Sequence, residues 1–242
     1  MKVIKIGGAI LDKIEEFDEV LEADILVHGG SDYVDDLFER LDKKTKMLES
    51  VSGVEFRYTS KEDMEIFLMA MMKANKELVS FLQQNKINAI GLSGLDYGLI
   101  KAKRKKLLKA IINGKKKIIR DDQSGKITEI NTKLIKNLKD HGLPVIAPIA
   151  MSAISNPLNI DGDKLAFRIS KDIKADQLIF LTDTAFLVNN EIVDEIKISN
   201  LEEYEKHAKG GMKRKIMMAE KAIENGIEEV SIIGLNGKTV IR

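Results

Sequence analysis

A chain of 242 residues is long enough to bury a sizeable core in one large domain. Hydrophobic residues make up 44% and charged residues 32%, which excludes a disordered chain, and a net charge of +1 leaves any electrostatic preference to local clustering. With no cysteine, disulfides and thiolate metal sites are excluded.

The elements follow a rhythm of strand and helix. Lys2–Ile6 is a short apolar run that ends in Gly7-Gly8, and helical spacing follows over Leu11–Leu21. Asp24–Val27 reads as a buried strand opening into His28-Gly29-Gly30, after which Val34–Leu41 resumes helical spacing. Lys61–Asn85 is a long helix, with Met64, Phe67, Leu68, Met71, Leu78 and Leu82 on related faces, and Ala89–Leu92 is another buried strand. Thr132–His141 reads as helix, Pro144–Pro148 as strand, Asp163–Lys174 as helix and Gln177–Leu181 as strand. Lys213–Asn225 is a last helix and Glu229–Ile233 a last strand. Short apolar strands alternating with helices predict an α/β fold with a mainly parallel sheet covered on both faces, a three-layer αβα sandwich. Ligands of such sheets sit outside the carboxyl ends of the strands, where the glycine pairs fall. No repeat or linker divides the chain, so 1–242 reads as one domain, with an N-terminal lobe to about 155 and a C-terminal lobe beyond.

One segment breaks the rhythm. Lys101–Arg120 contains ten Lys or Arg and no acidic residue, and Asn113-Gly114 is a good hairpin turn. Leu99–Ile119 is therefore predicted as a protruding, basic β-hairpin. No stretch approaches the roughly 18 apolar residues of a membrane span. The N-terminus runs straight into a strand, without the n- and h-regions of a signal peptide, so cytoplasm is the expected location. The three histidines, His28, His141 and His207, lie too far apart in sequence to suggest a metal site.

Four places suggest chemistry. In Lys5-Ile6-Gly7-Gly8 a lysine points to the strand's carboxyl edge and two glycines expose backbone N–H groups. That pattern suits either an anion-binding nest or a plain tight turn with a solvated lysine. It lacks the Gly-Lys-Ser/Thr order of a Walker A loop. His28-Gly29-Gly30-Ser31 repeats the arrangement, with His28 read as a packed strand-end residue rather than a base. In Asn159-Ile160-Asp161-Gly162-Asp163 the last carboxylate stands at a helix start, where it could cap the helix or orient lysines. Gly210-Gly211-Met212-Lys213-Arg214-Lys215 places three cations in what reads as a first helical turn, against the helix dipole, which an anionic ligand would explain as well as a solvated basic turn does. Lysines and backbone N–H groups are the tools of phosphoryl transfer, which needs positioning and charge neutralisation. No Ser–His–Asp order, Cys nucleophile or His-Glu-x-x-His is present, which disfavours hydrolases and metalloproteases.

These elements occur together and in order with Phe56-Arg57-Tyr58-Thr59, Gly91-Leu92-Ser93-Gly94-Leu95-Asp96 and Leu181-Thr182-Asp183. Over nearly the whole chain the set resembles the acetylglutamate kinase branch of the amino acid kinase family. Within that branch it looks most like the kinases that act on aminoadipate or glutamate linked to a small acidic amino-group carrier protein. Arg57-Tyr58-Thr59, the Leu158–Asp163 string and the basic hairpin carry that impression. The resemblance implies ATP as phosphoryl donor and Mg²⁺ riding on its phosphates with few direct protein ligands. It implies that Lys5 and Lys215 stabilise the transferring phosphoryl group and that Asp163 holds those lysines. Gly7, Gly8 and Gly29 would cradle phosphates, and Thr182 and Asp183 would lie beside the nucleotide. Gly30, Ser31, Arg57 and Asn159 would bind the α-carboxylate and amide of the acceptor, and Lys103, Arg104, Lys105 and Lys106 would dock the carrier. Such kinases are commonly homodimers. Three departures are Ser31 for a usual third glycine, which would alter a backbone contact to the substrate, and Phe186 for a usual glycine near the nucleotide with a short C-terminus, which would reshape and trim the nucleotide side. The alternatives are a kinase of free N-acetylglutamate and a non-catalytic amino-acid or nucleotide sensor. Nucleic-acid binding is disfavoured by the lack of aromatics between the hairpin's lysines.

Overall fold

The computed structural model describes residues 1–51 and 53–242. Its frame is an eight-stranded sheet in the order Glu195–Ile196, Gly237–Ile241, Glu229–Gly234, Gln177–Leu181, Lys2–Ile6, Ile25–His28, Leu143–Ile146, Ala89–Leu92. The six strands from Glu229–Gly234 to Ala89–Leu92 run parallel, and Gly237–Ile241 turns back antiparallel at one side. The parallel strands are largely apolar because both faces are covered, and their side chains alternate between two cores. Val3, Val27, Leu178, Phe180 and Ile232 pack with Phe167, Ile169, Met218 and Ala222 from helices Gly162–Ile173 and Gly210–Glu224. Ile4, Ile6, Leu26, Ile179 and Leu181 pack on the other face, with Leu78 and Leu82 from helix Lys61–Gln84. The predicted three-layer αβα sandwich is therefore what forms.

Lys2–Ile6 pairs with Ile25–His28 on one side and Gln177–Leu181 on the other. The chain thus winds outward from Lys2–Ile6 in both directions, and a crevice opens at its carboxyl end. Lys5 shares the face of Val3, so its side chain is directed toward helix Gly162–Ile173. Helix Lys61–Gln84 begins at a capping box: Asp63 N donates to Ser60 Oγ at 3.1 Å, and Ser60 N donates to Asp63 Oδ2 at 3.0 Å.

Two expectations are corrected. The segment predicted as a helix over Leu11–Leu21 is a pair of 3₁₀ helices, Gly8–Glu16 and Asp18–Glu22, separated by an extended Phe17. Its buried residues Leu11, Ile14, Phe17 and Val20 recur every third position, the repeat of a 3₁₀ turn and not of an α-helix. The basic segment is not one hairpin. Leu108–Ile112 and Lys115–Ile119 do form a hairpin, with Asn113 and Gly114 both left-handed at the turn (φ 51° and 72°). Ile100–Arg104 belongs instead to a separate sheet with Gly125–Ile130, Ile149–Met151 and Pro157–Asn159. The hairpin joins Lys46–Ser50 and Glu55–Tyr58 in a second small sheet. Among the described residues no helix is long and apolar enough to cross a membrane.

Candidate active site

The carboxyl end of Lys2–Ile6 delivers Lys5 to the first turn of helix Gly162–Ile173, and helix Gly210–Glu224 brings Lys215 to the same point. Lys5 Nζ lies 2.9 Å from Asp163 Oδ1, and Lys215 Nζ lies 3.5 Å from Asp163 Oδ2. All three residues are buried, at 7%, 4% and 7% exposure for Lys5, Asp163 and Lys215. Two ammonium groups separated by 210 positions thus share one carboxylate, and the three residues that the resemblance groups together are brought to one point. Burial alone would raise the Asp163 carboxyl, but Lys5 and Lys215 reverse this and hold it well below the usual carboxylate range. Burial also depresses Lys215, with the charge of Lys5 adding to the effect and Asp163 opposing it. The trio carries one surplus positive charge, so it is preorganised for an anion. The capping role goes to Asp161, whose Oδ1 accepts from Lys164 N at 2.9 Å. Asp163 is thereby left for the lysines.

The two glycine loops press against each other. Gly7 N donates to Leu181 O at 2.8 Å and Gly29 N to Ile6 O at 2.7 Å. A Cβ added at Gly8 would stand 2.5 Å from Ser31 N, and one at Gly29 would stand 2.7 Å from Gly8 N. No side chain fits between them, and the backbone itself forms the floor beneath Lys5. His28 closes this floor from below. It is fully buried, with Nδ1 donating to Gly29 O at 2.6 Å and Nε2 accepting from Asn75 Nδ2 at 3.1 Å. Burial pushes its pKa down to about 4, so it is a neutral packed residue, as read from the sequence.

Beside the lysines opens a cleft of about 420 Å³ whose walls include Lys5, Gly8, Gly29, Gly30, Ser31, Arg57 and Asn159. The residues predicted for the acceptor are therefore together. Arg57, however, already directs its fork at a carboxylate of the protein: Nη1 and Nη2 reach Asp35 Oδ1 and Oδ2 at 2.7 and 2.9 Å. Asn159 Nδ2 donates to Thr59 Oγ1 at 3.0 Å, and Ser31 Oγ donates to Asp32 at 2.9 Å. Thr182 and Asp183 follow strand Gln177–Leu181 directly, next to Gly7, with Thr182 Oγ1 donating to Asp183 Oδ1 at 2.9 Å; they lie outside the cleft wall. Phe186, expected to reshape a nucleotide pocket, is buried in the core, edge-on to Tyr204 with ring centroids 6.1 Å apart.

The four residues predicted to dock a carrier separate. Lys103 and Lys106 are exposed. Arg104 is a structural clamp, its Nε and Nη2 donating to the carbonyls of Asp122 and Arg120 at 2.9 Å each. Lys105 turns into the cleft, where burial and the charge of Lys164 lower its pKa. Arg214 was read from the sequence only as one of three cations near a helix start, with no role of its own. It lines the cleft, with Nε 3.0 Å from Asp161 Oδ2, and Nη2 donates to the Glu55 carbonyl. The glycines read as preceding its helix are the first two residues of it, so Lys213–Lys215 sit one turn in. Among the described residues no group of three or more His, Cys, Asp or Glu could hold a metal ion.

The chain matches known proteins over most of its length. The model of the amino acid kinase family matches residues 1–234. A Pyrococcus abyssi protein, provisionally named [LysW]-aminoadipate/[LysW]-glutamate kinase, is 50% identical over 245 residues, covering 100% of both chains. The [LysW]-aminoadipate/[LysW]-glutamate kinase of Saccharolobus islandicus is 40% identical over 241 residues, 96% of this chain and 91% of that protein. The carbamate kinase of Giardia lamblia bound to AMP-PNP shares the fold at a TM-score of 0.64 and 15% identity, over 100% of this chain and 98% of that one.

Proposed function

The chain belongs to the amino acid kinase family and is a phosphotransferase, and we propose that it moves the γ-phosphoryl group of ATP onto the side-chain carboxylate of aminoadipate or glutamate held on an acidic carrier protein. The product with aminoadipate serves lysine biosynthesis, and the product with glutamate would serve arginine biosynthesis. The acceptor carboxylate is ionised at neutral pH and has no proton to lose, so no general base is required. One of its oxygens forms a bond to the γ-phosphorus, and the bridging oxygen leaves with its electron pair on ADP.

The trio of Lys5, Asp163 and Lys215 carries this reading. Lys5 and Lys215 neutralise charge that spreads over the equatorial and leaving oxygens, and Asp163 fixes both ammonium groups before substrate arrives. Gly8 offers a backbone donor to the phosphates, while Gly7 and Gly29, whose N–H groups bond Leu181 O and Ile6 O, keep the two loops close enough to form the cradle, with Thr182 and Asp183 beside the nucleotide. Gly30, Ser31, Arg57 and Asn159 hold the acceptor in line in the cleft. With no carboxylate cluster to bind it among the described residues, a Mg²⁺ ion would be carried by the phosphates and would supply further charge neutralisation there.

The test is an ATP-dependent assay with hydroxylamine trapping of the acyl phosphate, comparing carrier-linked aminoadipate, carrier-linked glutamate and N-acetylglutamate. Carrier-linked acceptors should give hydroxamate at the higher kcat/KM; preference for N-acetylglutamate would reassign the enzyme to the free acceptor. Lys5→Ala and Lys215→Ala are each expected to lower kcat by about 10²–10³-fold, the cost of removing one preorganised donor. Undiminished turnover in either variant would remove the mechanism.

A further inference from the structure

We infer that Arg214 is a positioning residue that keeps the acceptor wall in register with the phosphoryl-transfer lysines. The inference rests on the placing of Lys215 and Asp163 at the transferring group. Arg214 and Lys215 are neighbours on one helix, and their partners Asp161 and Asp163 are two residues apart at the start of another. The two pairs join two helix N-termini whose positive ends would otherwise repel.

The guanidinium also spans to a third element. While Nε faces Asp161, Nη2 donates to the carbonyl of Glu55, the first residue of strand Glu55–Tyr58. Two residues further along that strand is Arg57, whose fork holds Asp35 on helix Ser31–Arg40. A single planar cation therefore connects the helix of Lys215, the helix of Asp163 and the strand that presents Arg57 to the cleft. This wall is also tied to the segment before Asp163 by the bond from Asn159 Nδ2 to Thr59 Oγ1. A lysine could meet Asp161 or the Glu55 carbonyl, but a single point charge cannot keep both the close ion pair and the carbonyl bond that the planar guanidinium makes at separate nitrogens. Because in-line transfer is sensitive to displacements of about 1 Å, release of the strand would separate the acceptor from the phosphoryl group.

Arg214→Met and Arg214→Lys separate this role from a general structural one. In Arg214→Met, kcat/KM for the acceptor should fall by about tenfold or more while the KM for ATP stays within about twofold. Amide hydrogen exchange should quicken at residues 55–58 and stay unchanged in strand Lys2–Ile6. Arg214→Lys should restore the thermal midpoint but not the acceptor kcat/KM, and it carries the test should the methionine variant fail to fold. An acceptor kcat/KM within about twofold of the parent in Arg214→Met, or full recovery in Arg214→Lys, overturns the proposal. So does exchange that quickens equally throughout the sheet. Lys215→Ala in parallel keeps the two questions apart, since its undiminished turnover would overturn the placing of Lys215 itself.

Discussion

At the scale of single residues, His28 makes folding depend on pH. It is fully buried, its ring nitrogens are both engaged, and its pKa is pushed down from 6.5 to about 4 by burial, with the charge of Lys5 adding to the effect. The unfolded chain takes up a proton at this site below about pH 6.5, and the folded chain takes it up only near pH 4. Stability is therefore full above pH 6.5 and is lost as pH falls toward 4, by about 3 kcal/mol from this group. Urea unfolding at pH 7.5 and 4.5 checks it: His28→Gln should show a shallower loss than the parent chain, and equal slopes would contradict the assignment. The same scale shows what sequence can and cannot reveal. The trio of Lys5, Asp163 and Lys215 was expected only from the family resemblance, because each motif alone suits a tight turn, a helix cap or a solvated basic turn equally well. The pairing of Arg57 with Asp35 was not legible, since the two occupy different elements and only packing brings them together. Asp161 and Asp163 were indistinguishable as caps, because either spacing suits a helix start. The core packing of Phe186 was not legible, because its identity alone does not say which way a loop side chain turns.

At the scale of elements, the glycine loops are held by contact rather than by conformational need. A Cβ at Gly8 would stand 2.5 Å from both the backbone N and the Oγ of Ser31, and 2.9 Å from Gly30 N. Backbone cannot yield there, so Gly8→Ala should push the two loops apart, costing about 1–3 kcal/mol of stability, and should lower kcat/KM as the floor under Lys5 shifts. Gly114→Ala is the control. That residue has φ 72° and open space around it, so only the left-handed conformation is penalised, at about 1–2 kcal/mol, and kcat/KM should stay unchanged. Thermal melts and steady-state kinetics on both variants decide the matter; equal kinetic losses would show that the loop contact is not special. The central strands were legible as uniform apolar runs. The small sheets were not, because strands such as Lys46–Ser50 and Lys115–Ile119 are largely exposed and carry lysines instead of an alternating apolar pattern. Ile100–Arg104 was assigned to the hairpin because sequence adjacency cannot show that its partner is Gly125–Ile130.

At the scale of the molecule, a net charge of +1 conceals a strong local asymmetry. The hairpin strand Lys115–Ile119 exposes Lys115, Lys116 and Lys117, and Lys103 and Lys106 are exposed on the same basic segment. Clustered exposed cations raise the rate of encounter with an acidic protein while adding little for a small acceptor that binds inside the cleft. Such steering is screened over about 10 Å at 0.1 M salt. The kcat/KM for a carrier-linked acceptor should thus fall as NaCl rises, whereas that for N-acetylglutamate should be nearly flat. Lys115→Gln, Lys116→Gln and Lys117→Gln together should flatten the first slope and leave the second alone. Lys103→Gln with Lys106→Gln tests the adjoining segment without touching Arg104, whose bonds to the Asp122 and Arg120 carbonyls hold the chain in place. If the parent enzyme and both multiple variants share one salt slope with the carrier-linked acceptor, the carrier approaches by another face.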